Sequence, residues 1–165
     1  MNSNGQRSGR VRVFNTALES GVRSLILLTA CYPRSLDLHR LVVLDHLLVH
    51  SEDVGGPPSL HPKEDSRAAE ILVRKRLVVS GLALMSARQL VLQRATLGGF
   101  QFQAGDEAGT FVDLLKSAYA CDLKARAEWL DENVNSMTDE EFTFLVKSRV
   151  EPWTAEFQSI SGTRE

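Results

Sequence analysis

Cysteine is scarce in this 165-residue chain, and long apolar runs are absent. The two cysteines, Cys31 and Cys121, lie far apart and neither belongs to a CxxC pair, so free thiols are expected. No apolar run reaches the roughly 18 residues that span a bilayer. The polar N-terminal stretch MNSNGQRSGRVR also lacks the apolar segment of a secretory signal. The sequence therefore predicts a cytoplasmic protein with no membrane partner.

The common sequence signatures of catalysis are missing as well. There is no GxSxG motif, and neither cysteine stands beside a histidine, so no activated nucleophile is indicated. The GGPP run at residues 55–58 is not followed by GK[ST], and its prolines remove donors that a phosphate would need. The carboxylates at residues 139–141 stand at a predicted helix start, where capping accounts for them. We expect a non-enzymatic protein without a cofactor.

Charge is unevenly distributed along the chain, although the net charge is only −2. Residues 1–100 contain 13 Lys/Arg against 8 Asp/Glu, which gives +5. Residues 101–165 contain 6 against 13, which gives −7. A basic first part and an acidic second part can orient a domain between two unlike partners, although ordinary solvated surface also accounts for this pattern.

Hydrophobic periodicity predicts several helices and one hairpin. The spacing of Thr16 and Glu19 is that of a capping box at a helix start. Gly98 and Gly99 supply a tight turn, followed by the alternating FQFQ of a half-buried strand. A short strand is expected at residues 11–14. The predicted helices cover about residues 16–32, 35–50, 66–88 with a possible break at Gly81, 118–134 and 138–150.

This order of elements predicts a mainly α fold with a β-hairpin, in which a winged-helix-like core is followed by C-terminal helices. Three helices and then a hairpin is the order of a winged helix-turn-helix. An irregular helical bundle with an embedded hairpin is the alternative. The predicted boundaries are a disordered tail at 1–10, the winged-helix-like domain at 11–117, a helical extension at 118–158 and a frayed tail at 159–165.

Three histidines fall on one face of the second predicted helix. His39, His46 and His50 occupy positions i, i+7 and i+11. The other sides are mostly Leu and Val, so we expect a helix that is buried on most sides and shows the histidines to solvent or to a partner. Asp45 lies within the apolar arc and should be hydrogen-bonded, because an unpaired buried carboxylate is costly.

The HLLVH spacing of His46 and His50 is one that zinc-binding helices use. The residue after His46 is Leu, however, where metalloproteases carry the Glu that acts as general base. A zinc site would also need a third ligand, such as Asp53 or His61. We therefore expect no metal.

Basic residues in the third predicted helix and in the hairpin are the candidates for a nucleic-acid contact. Arg74, Lys75 and Arg76 are consecutive, so they spread around most of a helix turn, and Arg94 is alone in the hairpin. Three acidic residues just upstream dilute them. DNA binding needs several phosphate contacts together, so we expect only weak direct binding.

The stretch FNTALESGVRSLILLTACYPRSLDLHRLVVLDHLLVHSEDVGGPPSLHP (residues 14–62), together with the Arg-rich helix and the hairpin, resembles the middle component of bacterial ABC three-component conflict systems, including Lamassu-type defence systems. AEW at residues 127–129 adds to the resemblance. Its most specific part is the series Asp45, His50, Ser51, Asp53, Gly56, Pro57, Ser59, Leu60, His61 and Pro62.

The resemblance implies a non-catalytic adaptor in a hetero-oligomeric complex with an SMC-like ABC ATPase, which senses foreign DNA, and an effector such as a nuclease. DNA is then reached through the complex. The exposed residue types of the loop at 51–62 make it the expected partner contact, with His46, His50, Asp53, Gly56, Pro57 and His61 as candidate interface residues. A free-standing winged-helix DNA-binding regulator remains the alternative.

Overall fold

The computed structural model describes residues 16–63 and 67–149, with side chains in the second range from residue 73 onward. The predicted tails at 1–10 and 159–165 and the predicted strand at 11–14 lie outside the described residues. The described helices are α1 Ala17–Ala30, α2 Leu38–Val49, α3 Arg67–Ala87, α4 Ala108–Asp113, α5 Ala118–Leu130 and α6 Asp139–Arg149. A 3₁₀ turn at Ser51–Val54 follows α2, and a π-helical turn at Asp131–Asn135 follows α5.

Side-chain caps begin α1 and α2, and the cap of α1 is the capping box that the sequence predicts. The Thr16 hydroxyl accepts from the Glu19 backbone N–H, and the Glu19 carboxylate accepts from the Thr16 N–H. Asp37 caps α2 by accepting from the Arg40 N–H at 2.8 Å. Each such cap contributes about 1 kcal/mol.

Helix α3 is continuous, so the possible break at Gly81 is not observed. Gly81 instead lies against Gly21 of α1, where the two helix backbones touch. A Cβ at Gly81 would be 2.7 Å from both the Gly21 Cα and the Ala17 carbonyl oxygen. The glycine pair therefore serves close helix packing.

The sheet has three antiparallel strands in the order β1-β3-β2: β1 Leu36–Asp37, β2 Val91–Thr96 and β3 Gly99–Ala104. Strands β2 and β3 form the predicted hairpin, and the two-residue strand β1 pairs with Gln101 and Phe102 of β3. Gly99 has a φ of 115°, as the predicted turn requires. The prediction of a mainly α fold with a β-hairpin is confirmed.

The core surrounds α2, in which all ten residues from 40 to 49 are buried. Helices α1, α3 and α5 all pack against it. Helix α5 belongs to the same apolar cluster as α1 and α2 through its buried residues Leu123, Ala127 and Leu130. Cys31 and Cys121 are free thiols, as expected. Among the described residues, no helix is long and apolar enough to cross a membrane.

Candidate functional site

A fully buried carboxylate, Asp45 of α2, lies at the centre of the polar groups in the core. Arg23 of α1 donates from Nε to Asp45 Oδ1 at 2.7 Å and from Nη2 to Oδ2 at 3.3 Å. Arg74 of α3 donates from Nη1 to Asp45 Oδ2 at 2.6 Å and to the Asp45 carbonyl oxygen at 3.2 Å. All three side chains are almost completely excluded from solvent. One carboxylate thus ties three helices together, and the predicted hydrogen bonding of Asp45 is confirmed.

The two guanidiniums decide the ionisation of Asp45. Burial alone would raise the pKa of this carboxyl group, but the adjacent Arg23 and Arg74 charges and their hydrogen bonds outweigh burial and hold its pKa below the usual range. Asp45 is therefore ionised at neutral pH. Burial likewise opposes the charge of Arg23, and Asp45 more than offsets it, so the pKa of Arg23 is raised.

A chain of aromatic and acidic side chains continues from the end of α2. His46 Nε2 lies 3.2 Å from Asp53 Oδ2, and the His46 and His50 rings have centroids 4.7 Å apart. The His50 ring meets His61 edge to face at 6.3 Å. His61 Nε2 in turn lies 2.7 Å from the Tyr119 hydroxyl oxygen of α5. The histidines of α2 are thereby connected to the loop and to α5.

His61 is neutral at physiological pH. Burial, followed by the nearby charges of Arg23, His50 and Arg74, lowers the pKa of His61 to about 4. Burial also raises the pKa of Tyr119. The contact between His61 and Tyr119 is therefore a hydrogen bond between two uncharged groups.

The loop at residues 51–62 is fixed to the helices by backbone and side-chain contacts. The N–H groups of Leu60 and His61 both donate to the Val49 carbonyl oxygen, at 2.9 and 3.1 Å. The Ser51 hydroxyl donates to the Pro57 carbonyl oxygen at 2.7 Å, across the turn. These bonds fold the loop back onto the C-terminal end of α2.

Helix α5 holds the other side of this loop. Gly56 lies against the Trp129 ring, and a Cβ at Gly56 would be 2.8 Å from that ring. Arg126 donates to the Pro58 carbonyl oxygen at 2.9 Å. The GGPP segment therefore packs against the end of α5 that contains the AEW segment.

Comparison with known families decides the assignment. The model of the family described as "ABC-three component (ABC-3C) system Middle Component 2" matches residues 13–156. The chain belongs to this Middle Component 2 family. Neither the curated proteins nor the solved structures gave a match. The resemblance seen in the sequence is thus confirmed at the level of the middle component.

The structure brings the predicted interface residues of this Middle Component 2 protein together, but it does not expose all of them. The expectation that His46 and His50 face solvent is wrong: they are 2% and 4% exposed. Asp53 and His61 contact them from the loop, and α5 closes over the loop, so the histidine face of α2 is covered by the protein itself. His39, the second residue of α2, is exposed.

Among the predicted nucleic-acid contacts, Arg74 is buried and binds Asp45, so its expected exposure was wrong. A core carboxylate on the facing helix draws this side chain inward, whereas Lys75 and Arg76 point outward on the same turn. Arg94 is exposed in β2. The surface role of these three residues stays a prediction.

Sequence reasoning missed Arg23 and Tyr119 as members of the cluster. A signal for Arg23 was present, because it is the one charged residue in the apolar run VRSLILL. A charged residue in such a run indicates a buried side chain that needs a carboxylate partner. Tyr119 had no such signal, since its partner His61 is 58 residues away.

The cluster of this Middle Component 2 protein can fix helices and neutralise buried charge. In the part of the chain that the structure describes, no three His, Cys, Asp or Glu side chains are grouped as a metal site. The expected absence of zinc stays a prediction.

Proposed function

We propose that this protein is the non-catalytic adaptor of a bacterial three-component defence complex of the Lamassu type, active against phages or plasmids in the cytoplasm. It couples an SMC-like ABC ATPase, which senses foreign DNA, to an effector such as a nuclease. The observation that carries this proposal is membership of the Middle Component 2 family over residues 13–156. A middle component must hold two other components in a fixed relation, which requires a stiff body with surfaces on different sides.

The arrangement of the buried cluster supports a stiff body. Asp45 ties α1, α2 and α3 together. His61 and Gly56 attach the loop to α5 through Tyr119 and Trp129. Networks whose polar groups are satisfied fix one arrangement of the elements that they join. In this proposal, the residues at 51–62 act by shaping the partner surface around the loop.

A DNA-binding regulator is the second candidate, because the elements follow the order α1-β1-α2-α3-β2-β3 with sheet order β1-β3-β2. This order is typical of a winged helix, and in such a fold α3 would lie in the major groove. With Arg74 buried, the exposed cations described on α3, on the hairpin and in the turn between them are few: Lys75, Arg76, Arg88 and Arg94. We therefore expect the isolated protein to bind duplex DNA with a Kd of about 10⁻⁴–10⁻⁶ M at physiological salt, the range of non-specific contacts.

Co-expression with an SMC-like ABC ATPase from the same bacterium tests the adaptor against the regulator. In size-exclusion chromatography at physiological salt, the adaptor should elute with the ATPase. Separate peaks for the two proteins, combined with tight and sequence-selective binding of the isolated protein in a gel-shift titration, would favour the regulator.

A further inference from the structure

The β2–β3 hairpin is the most exposed part of the described chain. All nine residues from 92 to 100 are exposed. Leu97 at the turn is fully exposed, and Phe100 is 55% exposed. The short strand β1 pairs only with residues 101 and 102 of β3, so the distal half of the hairpin extends beyond the described sheet. The hairpin therefore presents an apolar tip to solvent.

The position of Leu97 makes this tip unusual for a turn. Two-residue hairpin turns are normally built from Gly, Asn and Asp, which suit both the backbone and water. Leu97 contributes nothing to the described core, and neither does Phe100, whereas Phe102 on the same face of β3 is buried. Apolar side chains that do not pack within their own domain are available to pack against another one.

The charge of the hairpin and of the segment before it indicates the chemistry of the partner. No Asp or Glu occurs between Glu70 and Asp106, a segment that contains α3 from residue 71 onward and the whole hairpin. The exposed charged side chains of that segment are all cations: Lys75, Arg76, Arg88 and Arg94. A surface with cations and apolar side chains but no acid complements an apolar pocket with an acidic rim.

A protein suits this surface better than a nucleic acid. A wing that binds DNA places cations at its tip, whereas this tip carries Leu97 and Phe100, with Arg94 as the single cation in the hairpin. Protein interfaces combine aromatic and aliphatic anchors with arginine at their centres. The hairpin alone is smaller than the roughly 20–30 residues that a stable interface uses on each side, so it would form one part of such an interface.

We propose that the hairpin tip, formed by Leu97 and Phe100, inserts into an apolar pocket with an acidic rim on a partner protein, and that Arg94 pairs with the rim. This inference rests on the proposed adaptor function, because it assigns to one surface a contact that the adaptor must make. The partner that binds the hairpin tip is then a protein subunit of the complex.

Retention of the co-expressed ATPase and effector by tagged variants tests the inference. Leu97→Asp and Phe100→Ser should each reduce the retained partner at least tenfold, and Arg94→Glu should reduce it less and in a salt-dependent way. The controls are Leu114→Asp, Phe144→Ser and Lys147→Glu, which change equally exposed residues outside this surface. They should retain the partner as the unmodified protein does.

The outcomes separate this inference from the proposed function. If the unmodified protein retains a partner and the tip variants retain it equally well, the hairpin is not the contact and the adaptor function stands. If the unmodified protein retains neither partner, both proposals fail. If the tip variants keep their partners but bind duplex DNA less well than the controls, the hairpin contacts nucleic acid and the inference is overturned.

Discussion

At the scale of the residue, Asp45 is the side chain on which the arrangement of α1, α2 and α3 depends. Replacing Asp45 with Asn removes the counter-charge of two buried guanidiniums, Arg23 and Arg74. Breaking a buried ion pair from one side costs about 3–5 kcal/mol, and we expect the free energy of unfolding to fall by that amount in urea titrations followed by circular dichroism. Asp122→Asn, at an exposed position of α5, should change it by no more than about 0.5 kcal/mol. Equal losses in the two variants would contradict this role of Asp45.

His61 should make the stability of the protein depend on pH between about 4 and 6.5. Its pKa is lower in the folded protein than in the unfolded chain, so the unfolded chain binds the proton first as pH falls. Stability is therefore complete above the unfolded pKa and declines toward the folded pKa, by about 1–3 kcal/mol after allowance for partial exposure. Asp45, whose pKa is lowered, adds a further loss only as pH falls below its unfolded value of about 4.

The measurement compares the urea midpoint of the unmodified protein with that of His61→Gln at several pH values. The variant should lose part of the decline between pH 6.5 and 4 that the unmodified protein shows. His39→Gln, at an exposed position, is the control and should keep the full decline. A decline of the same size in all three proteins would show that His61 is not the group responsible.

For these residues, the sequence predicted that a polar group would need a partner but not which residues would supply it. A carboxylate in an apolar arc must have a partner, so the bonding of Asp45 was predictable. Which residues would supply it was not, because Arg23 and Arg74 are 22 and 29 residues from Asp45 along the chain. The burial of His46 and His50 was missed for a related reason: one face of a helix is polar by composition, but the fold decides whether water or another polar segment covers it.

At the scale of the element, the crossing of α1 and α3 depends on two glycines. Gly81→Ala would place a Cβ against the Gly21 backbone and the Ala17 carbonyl oxygen, which cannot move aside as a side chain does. We expect a loss of about 1–3 kcal/mol in the free energy of unfolding. Gly109→Ala in α4, where nothing lies within 4 Å of the added Cβ, should instead leave stability unchanged or raise it by about 0.5–1 kcal/mol. If Gly81→Ala left the free energy of unfolding unchanged, the close packing of α1 and α3 at this glycine would be contradicted.

The elements themselves were largely readable from the sequence. The capping box of Thr16 and Glu19 located the start of α1, and Gly98 and Gly99 located the hairpin turn. Gly81 was read as a possible break because glycine weakens an isolated helix, whereas its role is contact with a helix about 60 residues earlier. Strand β1 escaped prediction because two residues carry no periodic signal and pair only once β3 is in place.

At the scale of the whole molecule, the described fold separates a rigid interior from surfaces of different charge. The exposed charged side chains that the structure describes on α3, from residue 73 onward, and on the hairpin are cations, whereas α6 begins with Asp139, Glu140 and Glu141. Such a molecule can meet two unlike partners at once, as an adaptor must. The family assignment gives the kind of system to which it belongs, and the proposed adaptor would use the two charges toward unlike partners.

The most direct test of the adaptor role measures bridging. A tagged ATPase is co-expressed with the effector, either with or without this protein, and the effector retained by the ATPase is quantified. If this protein couples the two, the ATPase should retain the effector in stoichiometric amounts only when the protein is present, and all three should elute as one complex. If the ATPase retains the effector equally well in its absence, the account of this protein as the coupling component is contradicted.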